Sequence, residues 1–308
     1  MASNSAGKGI FSKISKDRVI SAIVLVIIAL ATILPGGLIL AVTLYLVSIV
    51  GYLELTKACG VRKKDSKKLN ALEIVGLVTI TGYYLVLYFV HSVQFLDYSF
   101  IGFTRLDIGI MISLFLSLIL FMSVYVFTFP TFTAHQVIAA YFSLVYAPVM
   151  LSFVFLTREM EYGIYLVWMI FINSWISDTC AYLVGVMIGK HKLAPVLSPK
   201  KSIEGSVGGI VGSALAGALF GYYLDTVLGT GQAVVQPALH FVRILPVVGG
   251  VGSVISQVGD LAASAIKRNY DIKDYGKLIP GHGGIMDRFD SVIFTAPITY
   301  FLIILFLR

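Results

Sequence analysis

The chain has 308 residues, 58% of them hydrophobic and 13% charged, with a mean hydropathy of +0.91. A soluble domain carries about a quarter charged residues, so a soluble globule, a disordered chain, a collagen-like repeat and a disulfide scaffold are all excluded; Cys59 and Cys180 supply neither a disulfide framework nor a zinc set. The formal charge of +7 informs through its distribution, not its total.

Residues 1–18 are polar and basic and continue into an apolar run that leads to a second one. This pattern predicts a cytoplasmic arm, not a cleaved signal. Lys8, Lys13, Lys16 and Arg18 would let it lie on an anionic lipid surface, with a plain flexible tail as the equal alternative. Nine apolar stretches follow, at roughly 19–34, 37–53, 71–93, 108–129, 134–156, 162–189, 205–224, 245–266 and 291–307. A helical span needs roughly 20 apolar residues, and alternation of period two is absent, so helices are expected and a barrel is not. The first two stretches are short and joined by Pro35-Gly36-Gly37, which predicts a tight helical hairpin. The fold class is therefore an all-α polytopic membrane protein of about nine transmembrane helices, with residues 19–308 forming a single membrane domain.

With the N-terminus inside, the cytoplasmic segments hold nineteen of the 23 lysines and arginines. The outer face keeps Arg105, Arg158, Arg243 and Arg308. The positive-inside rule then sets the orientation, with the C-terminus outside.

Ionisable groups at membrane depth are costly and mark candidate sites. Glu73 opens its span beside a basic loop and reads as interfacial. Asp178 lies inside a long span, with Ser174 and Tyr182 at helical spacing on the same predicted face. Asp260 closes the eighth span on a polar stripe with Ser253, Ser256, Gln257, Ser264 and Lys267. Interhelical hydrogen bonding accounts for the serines, but a buried carboxylate needs a cation or a proton. Gly205, Gly209, Ser213, Gly217 and Gly221, each four apart, form a ridge read first as close helix packing and only second as a ligand groove. His91, His135, His191 and His240 are isolated and are expected to be non-chemical.

Two inner loops stand apart from ordinary positive-inside charge. Residues 189–205 order four lysines, two prolines, two serines and one acid as Ser198-Pro199-Lys200-Lys201-Ser202-x-Glu204-Gly205 near the end. Residues 259–290 interleave acids and bases around Gly281, Gly283 and Gly284. Asp260, Asp287 and Asp290 suit a hard divalent cation, and Lys267, Arg268 and Arg288 suit phosphate oxygens. Together these are the parts of metal-assisted phosphoryl or nucleotidyl transfer.

The pattern Ser264-x-x-Lys267-Arg268-x4-Lys273-Asp274, followed by Pro280-x-His282-Gly283-Gly284-x-x-Asp287-Arg288-x-Asp290, resembles the signature of the CDP-diacylglycerol synthase family, the phosphatidate cytidylyltransferases. Asp178-Thr179-x-Ala181-Tyr182 and the Ser198–Gly205 segment are similar to further motifs of that family. Ser202 stands where many members carry threonine. The dense match covers 178–290.

The resemblance implies an integral-membrane nucleotidyltransferase of phospholipid biosynthesis that makes CDP-diacylglycerol and pyrophosphate from CTP and phosphatidate. It implies Asp260 and Asp287 as principal metal ligands for Mg²⁺, supported by Asp178 and Asp290, with a second cation left open. Lys200, Lys201, Lys267, Arg268 and Arg288 would hold phosphate oxygens. Ser202, Ser264, His282 and the amides of Gly283 and Gly284 would complete the phosphate shell, with Glu204, Lys273 and Asp274 in the substrate surround. The expected setting is the bacterial cytoplasmic membrane, with the active site facing the cytoplasm. The expected partners are CTP, phosphatidate and the bilayer; no nucleic acid is expected, and a homodimer is left open. Two alternatives remain: a CTP-dependent lipid kinase, and an ion-coupled transporter with a midplane site at Asp178 and Asp260.

Overall fold

The computed structural model describes residues 16–62, 66, 68–92, 105–229, 241–279 and 283–307. They are almost entirely helical: α1 (Lys16–Ile33), α2 (Gly37–Ala58), α3 (Ala71–Ser92), α4 (Arg105–Phe127), α5 (Ala134–Leu144), α6 (Met150–Arg158), α7 (Gly163–Leu166), α8 (Trp168–Phe171), α9 (Ser177–Ile188), α10 (Ile203–Gly229), α11 (Phe241–Asn269) and α12 (Met286–Leu307). Two π-helical turns, Val145–Val149 and Ile172–Ile176, join α5 to α6 and α8 to α9. Eight segments among the described residues are long and apolar enough to cross a bilayer, and α1 adds a shorter apolar stretch over Ile23–Ile33. The chain is an all-α polytopic membrane protein. Most of the basic N-terminal arm lies outside the described residues.

The turn at Pro35-Gly36-Gly37 joins α1 to α2, with positive φ of 65° and 50° at the two glycines, a conformation L side chains resist. Arg158, at the end of α6, donates to Ile33 O (2.8 Å) and Leu34 O (2.9 Å), while the Gly37 amide donates to Glu159 Oε1 (2.9 Å). The orphan groups at the two helix ends thus find partners in a third span.

The Gly205 ridge is a packing surface on two sides. A Cβ on Gly205 or Gly209 would press on backbone oxygens of Ala181 and Ser177 in α9, and one on Gly217 or Gly221 would collide with the carbonyls of Leu245 and Phe241 in α11. Close packing, the first reading of this ridge, is what the fold uses.

Two expectations change and a third is sharpened. Glu73 opens its span as expected and is 0% exposed, a buried group held by Arg62 (2.9 and 3.0 Å) and by the Asn70 amide (3.1 Å). Ser174 does not share a face with Asp178 and Tyr182: the π turn between them shifts the register, burying Ser174 against Thr295 (3.1 Å) and leaving Asp178 and Tyr182 exposed. Asp287, Arg288 and Asp290 lie in the first turns of α12 and not in a loop, because acids at a helix N-terminus complement its dipole. The 189–205 segment also gains local structure, an antiparallel hairpin of β1 (Lys192–Ala194) and β2 (Ser198–Ser202).

Candidate active site

Ends of α2, α9, α11 and α12 and the β hairpin meet on one side of the bundle. Two contacts tie neighbouring loops to that side: Gln136 Nε2 donates to Val61 O (3.3 Å), and His135 Nε2 meets the Tyr270 hydroxyl (3.2 Å). Asp260, Ser264 and Lys267 recur at i, i+4 and i+7 along α11 and so project from one face. Other residues of that helix stitch it to its neighbours: Ser253 bonds Ser177 (2.7 Å), and Gln257 donates to Ser206 O (3.1 Å).

Asp287 is the hub of the segment between α11 and α12. It is 6% exposed. Its Oδ1 pairs with Lys267 Nζ (2.9 Å), and its Oδ2 accepts from the amides of Tyr275 (2.8 Å) and Gly284 (3.0 Å). Tyr275 closes the same loop: its hydroxyl donates to Ala263 O (2.9 Å), and its ring lies under the Lys267 ammonium (5.4 Å). Burial pushes the Tyr275 phenol above its ordinary value, so it stays protonated and remains a donor. Gly283 adopts φ +85°, and a Cβ there would also press on Asp287 Oδ2 (2.8 Å). The Gly284 amide, expected to face phosphate, is therefore given to Asp287.

Glu54, from α2, completes the loop. Its two oxygens accept from the amides of Ile285 (3.2 Å) and Met286 (2.9 Å), capping α12 from outside its own sequence. Gly276 and Gly284 pack directly on its carboxylate, where any Cβ would collide. Sequence reasoning missed Glu54 because the second apolar stretch was ended one residue before it; a carboxylate near the end of a span was the available signal.

The second ion pair joins Lys201 Nζ of β2 to Asp260 Oδ2 of α11. Asp178 stands within electrostatic range of Lys201, Asp260 and Arg288, and Asp290 within range of Asp260, Lys267 and Asp178. The structure thus gathers Asp178, Asp260, Asp287, Asp290, Lys201, Lys267 and Arg288 at one place.

The remaining expected residues make contacts of their own or are exposed. Ser202 caps α10, its buried Oγ accepting from the Gly205 amide (3.2 Å). Glu204 anchors the hairpin, accepting from the amides of Lys190 (3.1 Å) and His191 (3.2 Å) and from His191 Nδ1 (2.6 Å). Lys200, Arg268, Lys273 and Asp274 are exposed around the rim. His282 lies outside the described residues.

Strand alternation sends Lys200 and Lys201 to opposite faces of β2. Lys201→Ala is therefore expected to lower turnover by about tenfold or more, and Lys200→Ala by only about two- to threefold. Steady-state turnover of the two variants in one detergent preparation checks the ranking, and equal losses would overturn it.

All the candidate cation ligands are carboxylate oxygens, the donor type Mg²⁺ prefers. Among the described residues no three His, Cys, Asp or Glu side chains converge as a ready cage. Mg²⁺ is commonly held by one or two carboxylates with substrate phosphates and water, so this donor set fits it. Two ammonium groups, from Lys201 and Lys267, already occupy the positive places beside Asp260 and Asp287.

The fold and site together define a helical membrane protein with a cluster of paired acids and bases at the ends of its spans. Residues 16–306 match the cytidylyltransferase family, and the chain belongs to it. It is 30% identical over 293 residues to a Bacillus subtilis (strain 168) protein named phosphatidate cytidylyltransferase, covering 94% of this chain and 98% of that one. Proteins of the same name from Staphylococcus aureus (strain COL) and Staphylococcus saprophyticus subsp. saprophyticus are 29% and 30% identical over 295 and 289 residues, covering 94% of this chain and 99% of each.

Proposed function

We propose that the chain is a phosphatidate cytidylyltransferase, transferring the cytidylyl group of CTP to phosphatidate to give CDP-diacylglycerol and pyrophosphate at the cytoplasmic face of the membrane. The observation that carries this reading is the cluster of acids and bases from α9, β2, α11 and α12, in a chain of the cytidylyltransferase family whose named relatives act on phosphatidate.

The chemistry matches what the cluster can do. The nucleophile is a phosphate monoester with a second pKa of about 6, already an oxyanion at neutral pH, so no strong base is needed. One of its oxygens bonds to the α-phosphorus of CTP as the bond from that phosphorus to the bridging oxygen breaks. Pyrophosphate leaves with the electron pair. The difficulty is bringing two polyanions together and stabilising the departing one. Lys201, Lys267, Arg268 and Arg288 offer the positive charge, with the arginines adding a planar fork for two oxygens. Asp260 and Asp287, with Asp178 and Asp290 in support, would hold Mg²⁺, which supplies charge neutralisation at the phosphates when bound. Lys201 and Lys267, paired with Asp260 and Asp287, would stand beside the bound phosphates and add to that charge neutralisation. The acyl chains stay in the bilayer, and the headgroup meets soluble CTP at the inner surface.

The test uses sealed inside-out vesicles and CTP labelled at either the α or the γ phosphate. Label from the α position is expected in lipid, without permeabilisation, and label from the γ position is not. Incorporation of γ label would make the protein a lipid kinase, and use of CTP only by right-side-out vesicles would invert the topology.

A further inference from the structure

Tyr146 sits in the π turn Val145–Val149, a turn that also contains Pro148. The side chain is 4% exposed, and its hydroxyl has no hydrogen-bond partner among the described residues. Its ring packs edge-on against Phe294 at 5.6 Å. Phe294 lies one turn beyond Asp290 on α12, and both press on Gly259, the residue before Asp260: a Cβ there would stand 2.9 Å from Asp290 O and 3.0 Å from Phe294 Cβ. The hydroxyl accordingly lies in the electrostatic field of Asp290 and Asp260.

An unpartnered buried donor is an anomaly that calls for a cause. The Ser256 and Ser291 hydroxyls nearby are also unpartnered, but a helical serine can turn to the carbonyl four residues back. A tyrosine hydroxyl stands a ring's length from its own backbone and has no such recourse. Asp290 is the natural acceptor. Its Oδ1 takes only the amide of the next residue, Ser291 (2.8 Å). A π turn within a span is a frequent device for re-aiming a side chain at a functional centre.

Resting on the function proposed above, we propose that Tyr146 is a positioning residue: its hydroxyl, without a partner as the structure stands, is the donor that would hold the Asp290 carboxylate in place when the acid cluster takes a divalent cation. Residues behind metal ligands orient them and tune their affinity.

The test compares full-length wild type, Tyr146→Phe and Tyr83→Phe in detergent, by melting temperature against Mg²⁺ concentration without substrates, and by turnover. Tyr83 is the control, a buried tyrosine whose hydroxyl is satisfied by Ser152 (2.8 Å). Tyr146→Phe is expected to melt at or above the wild-type temperature without Mg²⁺, since it deletes an unpartnered donor. Its half-saturating Mg²⁺ concentration is expected to rise about tenfold or more, with a comparable loss of kcat. Tyr83→Phe is expected to melt lower, with unchanged Mg²⁺ response. A Tyr146→Phe Mg²⁺ midpoint within about twofold of wild type, or a wild-type protein with no Mg²⁺-dependent stabilisation, overturns the inference. If wild type stabilises with Mg²⁺ but makes no liponucleotide, the proposed function fails while the Mg²⁺ comparison still decides the role of Tyr146.

Discussion

Asp260→Asn is expected to reduce turnover by about a thousandfold or more, the scale on which a group stabilising developing charge acts in a water-poor site. The substitution keeps the size of the side chain and removes one unit of charge from the cluster. It leaves Lys201 without its carboxylate but disturbs none of the amides that organise the loop after α11. The protein should therefore insert, purify and resist proteolysis between residues 270 and 285 as wild type does. Asp287→Asn should be equally inactive for a compound reason. Its two oxygens hold Lys267 and the amides of Tyr275 and Gly284, so the loop should become protease-sensitive as well. Turnover at saturating Mg²⁺, read beside limited proteolysis, separates the two cases. Activity near wild type in either variant would remove that aspartate from the reaction.

The second large effect is expected at Glu54, which touches none of the motif acids directly through a hydrogen bond. Glu54→Ala leaves the amides of Ile285 and Met286 without acceptors at the start of α12, at about 1–3 kcal/mol for each buried group. The first turn of α12 carries Asp287, so fraying there should lower turnover by about a hundredfold through misplacement alone. Glu54→Gln keeps one acceptor oxygen and should lie between alanine and wild type. Hydrogen exchange at the 284–287 amides, measured with turnover, tests the chain of cause. Protection unchanged in Glu54→Ala would sink the capping role, even if activity fell.

Much of this protein was legible before any coordinates. The nine apolar runs, the Pro35-Gly36-Gly37 hairpin and the packing role of the Gly205 ridge follow from composition and small-residue spacing, because lipid imposes helices and helices impose a period. The acids and bases that gather at one end of the bundle were visible as a motif. What was hidden depends on register and on partners far apart in the chain. A π turn shifts register without leaving a distinct composition, so Ser174 looked like a neighbour of Asp178 and is instead buried against α12. Glu54 lies 231 residues before the amide of Ile285 that it caps, and spacing carries no trace of that meeting. Ser202 and Glu204 read as substrate groups, and nothing in the motif shows that they also hold a helix end and a hairpin. Their hydrogen bonds place them at the start of α10 and on the hairpin.

The two-sided ridge of α10 bears on how this chain can change length. Gly205 and Gly209 meet α9, while Gly217 and Gly221 meet α11, so two separate backbones are read off one helical frame. Inserting or deleting a single residue between Gly209 and Gly217 would rotate one half of the ridge by about 100° relative to the other and drive a side chain into a neighbouring carbonyl. Replacement of one small residue by another is a local matter of a methyl group; a change of one in the count is not. The number of residues between Ser202 and Gly221 is thus held rigidly. Indels in related chains should be absent from this span.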